Sequence, residues 1–214
     1  MEIIKNFVVF EGLDGSGTTT QLNLLENSLN HSSNHSSLKA PPVYKTYEPT
    51  DGIIGRIIRS ALRKEAEMTA ETIALLFAAD RQEHLYGPEG ILERCKRGEL
   101  VLSDRYFPSS LVYQGISCGR ELPARLNQDF PGPELILFLD INPEIAQERI
   151  SGRVQKEIFE YLDFQIKARE LYKEILAKLG SQGVRVEIID AAPAPEEVAG
   201  KVWDAVKKMP IFLT

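Results

Sequence analysis

The segment that most constrains this chain is the short turn Gly12-Leu13-Asp14-Gly15-Ser16-Gly17-Thr18-Thr19. Phe7-Val8-Val9-Phe10 before it is apolar, aromatic and β-branched, which reads as a buried strand. Gln21 to Leu29 after it carries leucines at 22, 24, 25 and 29 and reads as a helix. A glycine-rich turn between strand and helix can wrap backbone N–H groups around phosphate oxygens, with the helix dipole adding to the attraction. The turn matches the phosphate-loop pattern G-x-x-x-x-G-K-[ST] at every fixed position except one, where Thr18 replaces lysine. Candidate phosphate-binding residues are therefore Gly12, Asp14, Gly15, Ser16, Gly17, Thr18, Thr19 and Thr20, and the Thr19 hydroxyl is a candidate magnesium ligand.

The missing lysine has consequences. That residue normally follows the β- and γ-phosphates as a mobile point charge, a role closed to a threonine hydroxyl. Either another cation supplies the charge, or turnover is slow, or the site binds nucleotide without transferring phosphate.

The rest of the chain alternates strand and helix patterns. Val43–Tyr47, Leu100–Asp104, Leu135–Asp140 and Val184–Asp190 read as strands. Ile53–Leu62, Thr69–Tyr86, Ile91–Arg97, most of Pro143–Leu179 and Pro195–Lys208 read as helices. The expected fold is one α/β domain over residues 1–214, a parallel sheet covered by helices on both faces. Residues 30–42, rich in Ser, Asn and His, are expected to form a polar surface loop. His31 and His35 fall in that stretch and His84 has no ligand-spaced partner, so the histidines are expected to be solvated rather than metal-bound.

Composition bounds the partners. A net charge of −6 argues against a nucleic-acid polymer, which needs clustered Lys and Arg. No apolar run approaches the roughly 20 residues of a membrane-spanning helix, and the N-terminal residues do not resemble a secretory leader, so a cytoplasmic location is expected. Cys95 and Cys118 are given no chemistry.

Asp104 closes a strand and is followed by Arg105. An aspartate at the carboxyl end of a strand beside a phosphate loop can hold magnesium through water, and the arginine can grip a phosphate. Phe77 and Arg81 lie four residues apart on a helix and so share a face.

Phe10-Glu11-Gly12-Leu13-Asp14-Gly15-Ser16-Gly17, Glu48-Pro49, Leu76-Phe77-Ala78-Ala79-Asp80-Arg81, Asp104-Arg105-Tyr106 with Tyr113-Gln114, and Leu139-Asp140 occur in the order seen in thymidylate kinases. The chain resembles that family over nearly its whole length. The resemblance implies a P-loop NTPase-type fold and an ATP-dependent nucleoside monophosphate kinase, with dTMP as acceptor, ATP and Mg2+ as cofactors, and a homodimeric assembly. By the same resemblance Phe77 stacks on thymine, Arg81 bonds the base, Arg105 grips the acceptor phosphate, and Ser110 lies near the base edge. Tyr113 disfavours a ribose 2′-hydroxyl, with Gln114 beside it. Glu48, Pro49 and Arg59 close over the monophosphate, although Tyr47 stands where the family has an arginine. Asp14 and Glu11 lie near the sugar and metal. Residues 149–157 resemble a helical lid whose Arg149 and Arg153 reach the transferring phosphates, Arg153 taking part of the missing lysine's role. Residues 191–195 resemble the loop against adenine. Asp14, Arg105, Arg149 and Arg153 are thus the catalytic candidates, and Thr19 and Asp104 the metal candidates. Two alternatives stay open: a kinase of another (deoxy)nucleoside monophosphate or of a nucleoside, and a catalytically weak nucleotide-binding relative.

Overall fold

The strands come together because they are too apolar to sit anywhere but in the middle. Phe7, Val8, Val9 and Phe10, Leu100 to Leu102, and Leu135 to Leu139 are fully buried, as expected for strands covered on both faces. In the computed structural model, which describes residues 1–32, 41–151, 159 and 161–213, these runs form one parallel sheet. Its strands are β1 (Ile3–Gly12), β2 (Val43–Tyr47), β3 (Leu100–Asp104), β4 (Gly132–Asp140) and β5 (Arg185–Asp190), in the spatial order β2-β3-β1-β4-β5. The helices are α1 (Thr18–Ser32), α2 (Ile53–Leu62), α3 (Ala70–Tyr86), α4 (Ile91–Lys96), α5 (Phe107–Cys118), α6 (Glu121–Asn127), α7 (Pro143–Ile150), α8 (Leu162–Ser181) and α9 (Pro195–Val206). Helices α1 and α9 pack together, while α4, α5 and α8 contact the sheet separately from them, with α3 laid on α5 and α2 on α3.

Parallel pairing aligns strand ends. Phe10 of β1 pairs with Asp104 of β3, Tyr47 of β2 pairs with the same Asp104, and Gly12 pairs with Leu139 of β4. All the loops that could meet a ligand therefore leave from one edge, the carboxyl edge, where open α/β sheets bind ligands.

Two differences from the expected boundaries bear on the site. Helix α1 runs to Ser32, so residues 30–32 belong to the helix and not to the polar loop. Leu22, Leu25 and Leu29 are all buried, and their spacing keeps α1 on the core for another turn. Residues 33–40 lie outside the described residues. Within Pro143–Leu179 the helix is broken into α7 and α8, so Arg149 lies in the last turn of one helix, which Ser151 caps, and Arg153 falls outside the described residues. Among the described residues no helix is long and apolar enough to cross a membrane.

Helix α7 also limits the phosphate loop. Gly15 has φ +89°, and a Cβ there would collide with the carbonyl oxygen of Ala146 on α7. A left-handed L-residue costs about 1–2 kcal/mol before any collision, so Gly15→Ala is expected to lose about 2 kcal/mol or more. Thermal unfolding should fall by about 4–8 °C, and an unchanged midpoint would show that α7 yields freely.

Candidate active site

The turn after β1 folds as its glycines dictate. Gly15 and Gly17 both take positive φ, Ser16 N–H donates to the Leu13 carbonyl at 3.0 Å, and Gln21 N–H donates to the Gly17 carbonyl as α1 begins. The loop forms one wall of a cleft of about 840 Å³. Residues 13–20, Pro49, Arg59, Asp104, Arg105, Arg149, Ala191, Pro193 and Pro195 all line it, as does Lys45, which Glu26 and Asn23 hold at 2.7 and 2.9 Å. The cleft thus unites the predicted phosphate loop with Arg59, Arg105 and Arg149, and with the loop that follows β5.

Thr19 and Asp104 meet at its floor, where the Thr19 hydroxyl donates to Asp104 Oδ2. The other carboxylate oxygen, Oδ1, is buried without a protein partner. A buried carboxylate oxygen left unpaired is costly, and a hydroxyl beside it completes an oxygen pair suited to a hard cation that keeps most of its water. The donor set fits magnesium. Among the described residues no group of three or more His, Cys, Asp or Glu side chains could hold a metal, so any metal there draws its remaining ligands from water and phosphate.

Arg105 stands between this cleft and a second one. Its φ is +73°, its N–H donates to the Phe10 carbonyl, and its guanidinium is held on several sides. Nη2 meets Asp14 Oδ1 at 2.5 Å, Nη1 donates to the Gly12 carbonyl at 3.0 Å, and the guanidinium carbon lies 5.1 Å from the centre of the Tyr113 ring.

The second cleft, about 90 Å³, gathers Asp14, Glu48, Pro49, Phe77, Arg81, Arg105, Ser110, Tyr113 and Gln114. Every acceptor-site candidate except Arg59 lines it. Phe77 is half-buried against this space, and both amide atoms of Gln114 are buried without a protein partner. Phe159, 7% exposed, closes one side, stacked on Phe164 and edge-on to Tyr113.

Arg81 is only 1% exposed, so its charge needs an answer inside the protein. Glu48 supplies it: Nε donates to Glu48 Oε2 at 2.9 Å and Nη2 lies 2.7 Å from the same oxygen. Nη1 donates to Asn127 at 2.5 Å and Nη2 to Ser110 at 3.2 Å. The neighbouring Asp80 accepts from the Thr50 N–H and hydroxyl at 2.7 and 2.6 Å. Two adjacent residues of α3 thereby clamp the turn that follows β2. His84, expected to be solvated, is a correction: its ring reaches Thr46 at 2.6 Å and Glu48 at 3.1 Å, with its side chain 8% exposed. A helix places it one turn after Arg81, facing the same carboxylate.

Arg59 donates to the Thr50 and Pro49 carbonyls at 2.5 and 2.6 Å and lies over the Tyr47 ring, so it braces the turn as well as facing the larger cleft. Arg56 donates to the Asp51 carbonyl from an exposed position and lines neither cleft. Arg149 donates to the Ala191 and Ala192 carbonyls, both at 3.1 Å, and so ties α7 to the loop after β5. Glu11 is a second correction. Expected near sugar and metal, it is fully buried behind Arg105 and lines neither cleft, because β1 turns its side chain toward α5 and α8.

Sequence reasoning passed over Asp80, Ser109, Asn127, Phe159 and Tyr172. Asp80 stood beside a chosen arginine, but nothing local marks Asn127 or Tyr172, which reach the site from distant helices. The Arg81–Glu48 pair is testable through stability. Glu48→Gln leaves a buried guanidinium undercompensated, which is expected to cost about 3–5 kcal/mol in urea unfolding. A loss below roughly 1 kcal/mol, typical of exposed pairs, would contradict this account.

The family model described as thymidylate kinase matches residues 10–202. A Treponema pallidum protein carrying the thymidylate kinase name is 46% identical over 179 residues, 83% of this chain and 82% of its own. A Pyrobaculum aerophilum protein named probable thymidylate kinase is 42% identical over 207 residues, covering 96% of this chain and 98% of its own. The thymidylate kinase of a Geobacillus strain is 38% identical over 211 residues, 94% and 95% of the two chains. With the cleft arrangement and these matches spanning nearly all of its length, the chain belongs to the thymidylate kinase family.

Proposed function

We propose that this protein, working as a single domain, transfers the γ-phosphoryl group of ATP to dTMP, giving dTDP and ADP. The observation that carries the reading is the junction at Arg105, which faces the phosphate-loop cleft on one side and the small aromatic-walled cleft on the other. A donor and an acceptor laid in these two clefts would meet at that residue.

In this reading the loop from Gly12 to Thr20 holds the ATP phosphates with backbone N–H groups and the start of α1. The adenine rests by Ala191 and Pro193, near Arg149. Thymine stacks on Phe77 and is read by Arg81, Ser110 and Gln114, while Tyr113 faces the deoxyribose. Glu48, Pro49 and Arg59 border the acceptor phosphate, and Arg105 orients it, held in turn by Asp14. Magnesium bound at Thr19 and Asp104 would neutralise charge on the phosphoryl oxygens. A phosphate oxygen of dTMP forms the new bond to the γ-phosphorus as the bond to the β,γ-bridging oxygen breaks and ADP leaves. No protein base is needed, since the acceptor oxygen is already anionic; alignment and charge neutralisation are the protein's share.

Thr18 leaves the loop without its usual cation. We assign the compensating charge to Arg105 and to the lid arginines Arg149 and Arg153. The reading also carries a cytoplasmic location, where ATP and dTMP would be met, and a homodimer. Ile53, Ile57 and Leu75, exposed on the adjoining helices α2 and α3, offer apolar surface for the homodimer, and a monomer in sedimentation equilibrium would refute that assembly.

A coupled assay with ATP and dTMP is expected to yield dTDP, and tight binding of both nucleotides with no dTDP formed would favour the nucleotide-binding alternative. A panel of other monophosphates separates the acceptor alternatives. Arg105→Ala is expected to lower turnover by about 10²–10³-fold, the usual effect of removing one donor aimed at developing charge. Thr18→Lys is expected to raise turnover by less than about tenfold, the equivalent of ~1.4 kcal/mol. A larger gain would show that the lysine's role is unfilled.

A further inference from the structure

We propose that Glu11, acting through Ser109 and Tyr172, is a positioning group for Arg105, setting where its guanidinium lies at the junction of the two clefts. The inference rests on the kinase reading above, which gives Arg105 its phosphate to hold.

Three elements converge behind that arginine. Glu11, at the end of β1, accepts from the Tyr106 N–H at 3.0 Å, from the Ser109 hydroxyl of α5 at 2.6 Å, and from the Tyr172 hydroxyl of α8 at 2.9 Å. The same two hydroxyls accept from Arg105 Nη1, at 3.2 and 3.3 Å. Donor and acceptor directions agree along this chain. Each hydroxyl has one proton to place, on Glu11 or across the 2.8 Å contact between Ser109 and Tyr172, and with the proton on Glu11 it keeps its lone pairs for the guanidinium. A carboxylate that takes both hydroxyl protons therefore turns both oxygens toward Arg105.

The carboxylate is also a buried charge with little reason to be there unless it is used. Glu11 is fully buried, and it touches neither cleft. An apolar side chain would fill the space at the end of β1 without the cost of desolvation. The groups facing it are Arg105, Ser109, Tyr172 and the Tyr106 N–H, with Tyr113 and Asp14 one layer further along the same network. Burial raises its carboxyl to about 7, against the lowering effects of Ser109, Arg105, Tyr172 and the Tyr106 N–H. Once protonated, the carboxyl carries its own donor, the hydroxyl protons are no longer all drawn to it, and Arg105 loses both acceptor orientation and a nearby negative charge. Its remaining partners are Asp14 and the Gly12 carbonyl on the loop side and, at 3.4 Å, the Tyr113 hydroxyl.

The test measures dTMP affinity by calorimetry and dTDP formation with ATP, from about pH 5.5 to 8.5 around the group's range, for the parent, Glu11→Gln and Tyr172→Phe. The parent is expected to bind dTMP more weakly as the pH falls through about 7. Glu11→Gln should keep only the inflection that the acceptor phosphate itself brings, and bind dTMP about tenfold more weakly at high pH, the effect of one hydrogen bond to a charged group. Tyr172→Phe, which keeps the carboxyl but removes a bond to its ionised form, should weaken dTMP binding and move the inflection upward. The affinity for ATP should fall less than that for dTMP, because Asp14 and the Gly12 carbonyl still hold the loop side of the guanidinium. The acceptor phosphate titrates with all three proteins, so it cancels in their comparison. Equal dTMP affinities and identical pH profiles in the parent and the variants would overturn the inference. If Glu11→Gln does not fold, an unshifted inflection and unchanged dTMP affinity in Tyr172→Phe overturn it alone. A parent that makes no dTDP overturns the proposed function instead.

Discussion

The register of β1 against β3 sets the geometry on which the rest depends. Phe10 lies opposite Asp104, so the strand that leads into the phosphate loop and the strand that ends in Asp-Arg finish side by side. From that one alignment Thr19 reaches Asp104 and Arg105 reaches back to Gly12 and Asp14. A slip by one residue would reverse every side chain on β3 and carry its buried face to the wrong side. With Leu100, Val101 and Leu102 all fully buried, such a slip has no favourable alternative packing.

Around this junction the protein solves the same problem more than once, that of holding a cation in a partly dry place. Arg81 has Glu48, with Asn127 and Ser110 taking two further donors; Arg105 has Asp14; and Arg169 is bound by both oxygens of Asp140 at 2.6 and 2.9 Å. Each pair joins segments far apart in sequence. Removing water strengthens these bonds and raises the cost of leaving any one unmade, so each pair also locates its side chain with little freedom. Such fixed donors are what phosphoryl transfer requires, because the protein's share of the work is positioning and charge.

The loop without a lysine departs from its pattern at one point while keeping the backbone geometry. Gly15 and Gly17 take the left-handed conformations, and Gly15 admits α7 so closely that a side chain there would meet the Ala146 carbonyl. That approach brings Arg149 to the carbonyls of residues 191 and 192. Its guanidinium is therefore committed in part to joining two segments of the cleft wall. Lys45, on the far side of the same cleft, is likewise engaged by α1, through Glu26 and Asn23. Lys45, Arg59, Arg105 and Arg149 thus ring the cleft, each already tied to a protein acceptor.

The sequence by itself determined the alternation of strand and helix, the phosphate loop and most of the cleft residues. These rest on local rules: apolar runs for buried strands, glycines where φ must be positive, and fixed spacings along one helix face. It misread the end of α1, because the polar residues 30–32 ride on a helix held by Leu22, Leu25 and Leu29. It also misread His84 and Glu11. Only the tertiary structure decided that His84 would share a carboxylate with Arg81, that Asn127 would accept from the same arginine, and that Glu11 would lie behind Arg105 with the Tyr172 hydroxyl bridging the two. Glu11 and Tyr172 are separated by 161 residues, Arg81 and Asn127 by 46. Partners so distant in the chain leave no periodic trace, since they meet only through the packing of α5, α6 and α8 around the sheet edge.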